Sequence, residues 1–227
     1  MLCLSLYDAQ STYYNGRKPM HVPEKWKMTA TSDIQKFIQQ HGFAMIVSSD
    51  LEASHLPLLL EPSTTEYGVL YGHFARTNPH WKNIVGRSVL CVFNGPHAYI
   101  SPTWYDAYPA VPTWNYITVH AKGVLELTDD KTTLAMLNAT IGKYEPSLLE
   151  SSSGTNEGFI PQAFQDKLIK GIVGFKIVIS ELQAKQKLGQ HRSLADQQGV
   201  ATGLAKSADL EAQHLLSYMQ ANNIGIG

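Results

Sequence analysis

The sequence predicts an α+β protein: an antiparallel β-barrel with peripheral helices and a helical C-terminal tail. Three observations carry that expectation. Short alternating segments separated by polar turns follow one another from Phe43 to Phe93, with one brief helical stretch among them. A long alternating run, Trp114 to Leu127, follows a proline-rich loop. Helical periodicity gathers after Asp129, so helices do not alternate with strands as a doubly wound parallel sheet requires.

Residues 1–19 end in Asn15-Gly-Arg-Lys-Pro19, polar and without periodicity, and read as a poorly ordered extension. Thr31-Ser-Asp-Ile opens a helix with a hydroxyl cap, an apolar face of Ile34, Phe37 and Ile38, and Gly42 as its stop. Strands are expected at 43–49, 53–60 and 67–74, and Pro57 marks the second as an edge or bulged strand because proline donates nothing to the ladder. A short helix over 78–85 has Asn78 at its cap and Pro79 in its first turn. Strands follow at 88–93, 97–101 and 114–127. The helix expected from Asp129 to Tyr144 carries Leu134, Leu137, Ile141 and Tyr144 on its apolar face. Then come a flexible loop at 151–158, a helix from Gln162 to Lys170, and a strand from Gly174 to Leu182. Two tail helices between Ser193 and Asn222 part near Ser207.

Composition narrows the function classes. Hydrophobic residues are 44% and charged residues 16%, which is globular rather than disordered. Eighteen Lys and Arg against 19 Asp and Glu give a net charge of -1, so strong nonspecific nucleic-acid binding by counterion release is not indicated. The two cysteines, Cys3 and Cys91, suggest no disulfide framework, as in a reducing cytoplasm. No run approaches the roughly 18 apolar residues of a membrane helix, and the N-terminus has no basic leader, so the expectation is a cytoplasmic protein without membrane contact. No G-x-G-x-x-G, P-loop, G-x-S-x-G or H-E-x-x-H motif occurs, and the nine histidines lack metal-ligand spacing.

Three segments carry candidate chemistry. In Gly72-His-Phe-Ala-Arg-Thr-Asn-Pro-His-Trp81 a strand ends in Arg76 just before a capped helix, and a guanidinium beside helix-terminal amides suits a phosphate. A surface cation and a plain cap fit the same residues. The aromatic loops Asn94–Tyr105 and Val111–Tyr116 could line a pocket for a flat ligand with Asn115 fixing its orientation; an aromatic subunit interface accounts for them equally, and both hold if the pocket lies between subunits. Lys185–Arg192 is cationic and amide-rich, suited to a phosphate or a polar ring edge, or else a solvated loop.

Taken together, Met20-His-Val-Pro, Ala53-Ser-His-Leu-Pro-Leu-Leu-Leu60, the 72–81 segment, Phe93–Tyr105, Val111-Pro-Thr-Trp-Asn-Tyr116 and Lys187-Leu-Gly-Gln-His-Arg192 resemble the PaiB-type family, described as FMN-binding negative transcriptional regulators. The resemblance runs from about Met20 to about Leu204. It implies a Greek-key split barrel over 20–192 with a helical tail over 193–227, similar to pyridoxamine phosphate oxidases and working as a homodimer with FMN at the subunit interface. By that likeness His55, Leu56, Pro57 and Leu58 run along the isoalloxazine. Arg76, Thr77 and Asn78 hold the phosphate. Trp114, Asn115, Lys187 and Gln190 approach from other segments, from the second subunit. The family usually reads K-L-S-Q-N-R where this chain has Gly189 and His191, so a hydroxyl and an amide are missing there.

The leading expectation is therefore an FMN-binding dimer carrying a regulatory role, with DNA as a partner by resemblance only. The tail offers Lys206 past Arg192 against Asp196, Asp209 and Glu211, which favours packing or dimerisation over a recognition helix. An FMN-dependent oxidoreductase acting on a small molecule is the alternative. A third reading, haem binding through His191 or His214, comes from related split barrels.

Overall fold

The computed structural model describes residues 20–63, 65–150 and 161–227; the expected extension at 1–19 and the loop at 151–158 lie outside them. Seven strands, β1 (Phe43–Val47), β2 (Ala53–Pro57), β3 (Leu59–Glu61), β4 (Val69–Ala75), β5 (Ser88–Ile100), β6 (Thr113–Leu127) and β7 (Ile172–Lys187), form one sheet. Their order is β2-β1-β5-β6-β7-β4-β3, and every pairing is antiparallel. The helices are α1 (Thr31–Gln40), α2 (His80–Ile84), α3 (Asp130–Tyr144), α4 (Ser147–Glu150), α5 (Gln162–Lys170), α6 (Leu194–Ala205) and α7 (Leu210–Ala221).

β2 and β3 stand at opposite ends of the strand order, yet Leu58 alone separates them in the chain. The two edges of the sheet must therefore meet at that residue, which rolls the sheet into a barrel. The expected strand at 53–60 is thus two strands. Leu58 donates its N–H to the Gly42 carbonyl at 2.7 Å and buries its side chain, so the run leaves one edge and joins the other. Pro57 does end an edge strand. Gly42 is needed for this approach rather than as a helix stop: a Cβ there would stand 2.9 Å from the Leu58 carbonyl oxygen, and α1 has already ended with His41 at its C-cap.

The barrel interior is filled by Ile46, Cys91, Phe93, Val119, Ala121, Phe175 and Ile177, all fully buried. Burial pushes the Cys91 thiol up to about 12, so it packs as a small hydrophobe. Ile34, Phe37 and Ile38 are the buried face of α1 as expected, but Ala30 is its N-cap and no side chain caps it. The two strands expected at 88–101 are one strand, because a register shift between Asn94 and His97 absorbs Gly95-Pro96 without ending the ladder. The strand expected at 174–182 runs on to Lys187. The buried face of α3 is Thr133 and Met136, not the leucine stripe, and Tyr144 is exposed. Thr133 lies against Gly174 of β7, where a Cβ would come within 2.0 Å of its Oγ1. A small polar side chain, not a leucine, fits that contact.

The tail helices part around Ser207 as the sequence suggests. α7 lies on β5, and its Tyr218 meets Phe37 of α1 edge-on at 6.2 Å. α6 seats the turn Pro102–Trp104 against two glycines. A Cβ at Gly199 would fall 1.9 Å from the Trp104 carbonyl oxygen, and one at Gly203 would fall 2.2 Å from Trp104 Cδ2. Gly199→Ala should destabilise the protein by about 1–3 kcal/mol through overpacking, against the ~1 kcal/mol that alanine usually gains in a helix. Urea unfolding checks this, and a stabilised variant would contradict it.

Candidate functional site

One corner of the barrel gathers β2 and the β4–α2 turn. β2 has a strand on one side only and no fully buried residue. His55 is exposed there, its ring stacked on Phe43 at 6.3 Å; Leu56 is half-buried, Pro57 exposed and Leu58 buried. Three polar side chains lock this strand to the turn. The Asn78 Oδ1 accepts from the His80 N–H at 2.9 Å and its Nδ2 donates to Ser54 Oγ at 3.3 Å, while Ser54 Oγ lies 2.9 Å from His80 Nδ1. His80 is fully buried and its Nε2 has no partner among the described residues. Ser54 and His80 were not singled out from sequence, although both lie inside the quoted motifs.

Arg76 directly follows β4, on the surface. Its Nε and Nη2 donate to the carbonyls of Lys170 and Ile172, each at 2.6 Å, and its carbonyl accepts from Trp81 Nε1 at 3.3 Å. Two carbonyls thus fix the guanidinium, while Nη1 has no partner among the described residues and keeps its donors. The Thr77 N–H and hydroxyl have no partner among the described residues. A fixed guanidinium with spare donors beside a free amide and hydroxyl fits a phosphate. The amide array expected from the helix terminus is smaller than anticipated: α2 starts at His80 and has five residues, and the Asn78 side chain is engaged in holding the turn.

The remaining residues form a second corner, where β6 begins and β7 ends. Trp114 is 53% exposed, with His97 at 6.1 Å and Tyr99 edge-on at 6.2 Å. Asn115 is buried and no hydrogen bond reaches its amide among the described residues. Gly189, at φ +79°, lies beside it; a Cβ there would stand 3.8 Å from Asn115 Nδ2. Lys187 Nζ donates to Thr113 Oγ1. Gln190 uses its amide on its own turn, accepting from the Leu188 N–H at 2.9 Å and donating to the Gln186 carbonyl at 2.8 Å. His191 Nδ1 accepts from Trp26 Nε1 at 3.4 Å, and His214 sits exposed on α7 beside Glu211.

The structure does not bring the two corners together within one chain. Arg76 follows Ala75, which pairs with Ile172 at the start of β7, whereas Lys187 is the last residue of that 16-residue strand. At about 3.3 Å per residue the strand's contour is on the order of 50 Å.

Among the described residues no group of three or more His, Cys, Asp or Glu side chains is placed to hold a metal, and no helix is long and apolar enough to cross a membrane. His41, His73 and His120 are half-buried, and burial lowers their pKa values, with Lys122 adding to the effect at His120. The unfolded chain takes up these protons near the ordinary value of about 6.5, the folded one only below it. Folding stability contributed by these groups is therefore complete above about pH 6.5 and lost as pH falls. Thermal melts should give a lower Tm at about pH 5.5 than at about pH 7.5; a Tm that rises on acidification contradicts this.

The rolled antiparallel sheet is a split barrel of the flavin-binding class. The chain belongs to the family described as "Putative FMN-binding domain", whose profile matches residues 20–181, and the family's cofactor is FMN. It is 34% identical over 210 residues to "Protease synthase and sporulation protein PAI 2" of Bacillus subtilis (strain 168), covering 88% of this chain and 97% of that protein. An uncharacterised protein of Emericella nidulans is 32% identical, over 67% of this chain and 74% of its own length. Among solved structures, the flavocytochrome Anf3 from Azotobacter vinelandii superposes with a TM-score of 0.55 at 14% identity, over 74% of this chain and 73% of that one. The FAD and haem binding protein from Mycobacterium smegmatis gives 0.53 at 11% identity, over 72% and 74%. These two likenesses concern the fold.

Proposed function

We propose that this protein is a PaiB-like homodimer holding FMN between its two copies, with a regulatory role. The separation of the two corners carries this reading. Arg76 and Thr77 of one copy hold the phosphate, Asn78 shapes that turn, and His55, Leu56, Pro57 and Leu58 run along the ring system. Trp114, Asn115 and Lys187 reach the same flavin from the other copy, with Gln190 setting their turn. The uncovered β2 edge and the exposed Phe43, Tyr99 and Trp114 supply surface for such an interface. When bound, FMN supplies hydride and single-electron transfer; the protein's own residues bind, orient and shield it. The regulatory role rests on the likeness to PAI 2, and the tail's charge balance favours packing over autonomous DNA recognition.

The test is complementation between subunits. Arg76→Ala and Asn115→Ala dimers should each retain little flavin, while dimers mixed from the two regain one intact site. Failure of mixed dimers to regain flavin, or a monomer on gel filtration, overturns the reading. The alternative, an FMN-dependent oxidoreductase, is favoured by the ammonium groups of Lys25, Lys185 and Lys187, which gather around Trp26 beside the second corner; turnover of NAD(P)H with a small acceptor distinguishes it from a regulator.

A further inference from the structure

The short turn Glu24–Trp26 packs against the end of β7 and places the Trp26 indole among ammonium groups. Lys25 Nζ lies 4.7 Å from the ring centroid, Lys187 Nζ 5.3 Å and Lys185 Nζ 5.4 Å. Lys185 also sits 5.2 Å from the Tyr116 ring. Lys185 is only 8% exposed, and among the described residues its ammonium makes one hydrogen bond, to the His21 carbonyl at 3.3 Å. None of the three lysines has a carboxylate partner among the described residues. Glu24 and Asp196 are already engaged, Glu24 with Lys27 at 3.1 Å and Asp196 with Arg192 at 3.5 Å and the Ala107 N–H at 3.0 Å. Like charges crowded this closely repel. Lys187 is held below the usual lysine range by burial and by Lys185, Arg192 and Lys25, and His191 is lowered by burial and then by Lys25, Arg192 and Lys187.

A buried ammonium without a counter-ion is costly, and aromatic faces offset only part of that cost. The arrangement lacks negative charge. Lys187 joins it to the second corner through Thr113, so an anion here would lie beside the residues that approach the flavin.

We propose that Lys25, Lys185 and Lys187 around Trp26 bind an oxyanion, a carboxylate or phosphate carried by the small molecule that meets the flavin; this rests on the inter-subunit flavin site proposed above. The lysines provide charge-assisted hydrogen bonds, and the indole covers one side of the group. Arg192, balanced by Asp196 and lying 4.0 Å over the Tyr105 ring, borders the site rather than competing for the ligand.

Titration calorimetry on the flavin-loaded, full-length dimer tests this, with benzoate and inorganic phosphate as separate probes at low ionic strength. One of them should bind, with affinity falling as salt rises, and the probe that binds tells carboxylate from phosphate. Lys185→Met should weaken binding by at least about tenfold with flavin content unchanged. Lys25→Ala, at an exposed position, should weaken it less and keeps the test open if the buried variant does not fold. Flavin present with neither probe bound overturns the inference alone. Loss of flavin from folded Lys185→Met also overturns it, because the lysines would then be holding the cofactor's own phosphate. Absence of flavin from the wild-type preparation instead overturns the reading on which the inference rests.

Discussion

Arg76→Ala should weaken FMN binding by roughly ten- to a hundredfold, the ~1.5–3 kcal/mol associated with a hydrogen bond to a charged group. The guanidinium is already fixed by the carbonyls of Lys170 and Ile172, so little ordering remains to be done when a phosphate arrives. Removing the side chain also frees those two carbonyls, but they are at the surface, where water replaces the lost donors. The Tm should therefore move little while flavin release accelerates. Arg76→Lys keeps the charge and loses the planar fork, and should fall between wild type and alanine. Equilibrium titration of flavin fluorescence reads the effect; unchanged affinity in Arg76→Ala would remove this residue from the phosphate site.

Phe175→Ala should cost about 3–5 kcal/mol of folding stability, the range for deleting a buried aromatic ring. Phe175 is fully buried, with Phe74 at 5.0 Å, and it opposes Gly72 across the β4–β7 ladder. The ring occupies the space a side chain at 72 would need: a Cβ there would stand 2.6 Å from Phe175 Cζ. The loss would loosen the strand end that presents Arg76. Urea denaturation should show a lower midpoint with an unchanged slope. A loss under about 1 kcal/mol would mean that the core closes over the cavity. The two variants differ in stability: Arg76→Ala lowers flavin retention with little change in Tm, whereas Phe175→Ala weakens the scaffold itself.

What was legible in the sequence was mostly local. Asn78 accepts from an N–H two residues on, a local bond the spacing shows, although α2 starts later than expected, with Pro79 at its cap and no side chain capping it; Pro57 declares an edge because the lost donor is its own. The break at Leu58 depends on Gly42, and the face of α3 on Gly174, contacts across the fold that no local period reports. The long β5 was hidden because Gly95-Pro96 carries the signature of a turn and the ladder absorbs it as an irregularity. The site residues lie in recognisable motifs, but their sorting into two corners follows from which strand ends pair with β7. Trp26 and Lys185 lie far apart in the chain and meet only in the fold; the cationic Lys185–Arg192 run and the lysines flanking Trp26 in Glu24-Lys-Trp-Lys27 are the hints the sequence offers.

Leu58 stitches the rim of the barrel in a single step, with β2 on one side and β3 on the other. Such a seam has no slack. A displacement of the strand assigned to the flavin must drag the opposite border of the sheet with it, so a cofactor leaving the protein cannot do so by peeling β2 away alone. In the dimer proposed above, departure then depends on the second subunit drawing back, which ties how long the flavin stays to how long the pair stays together.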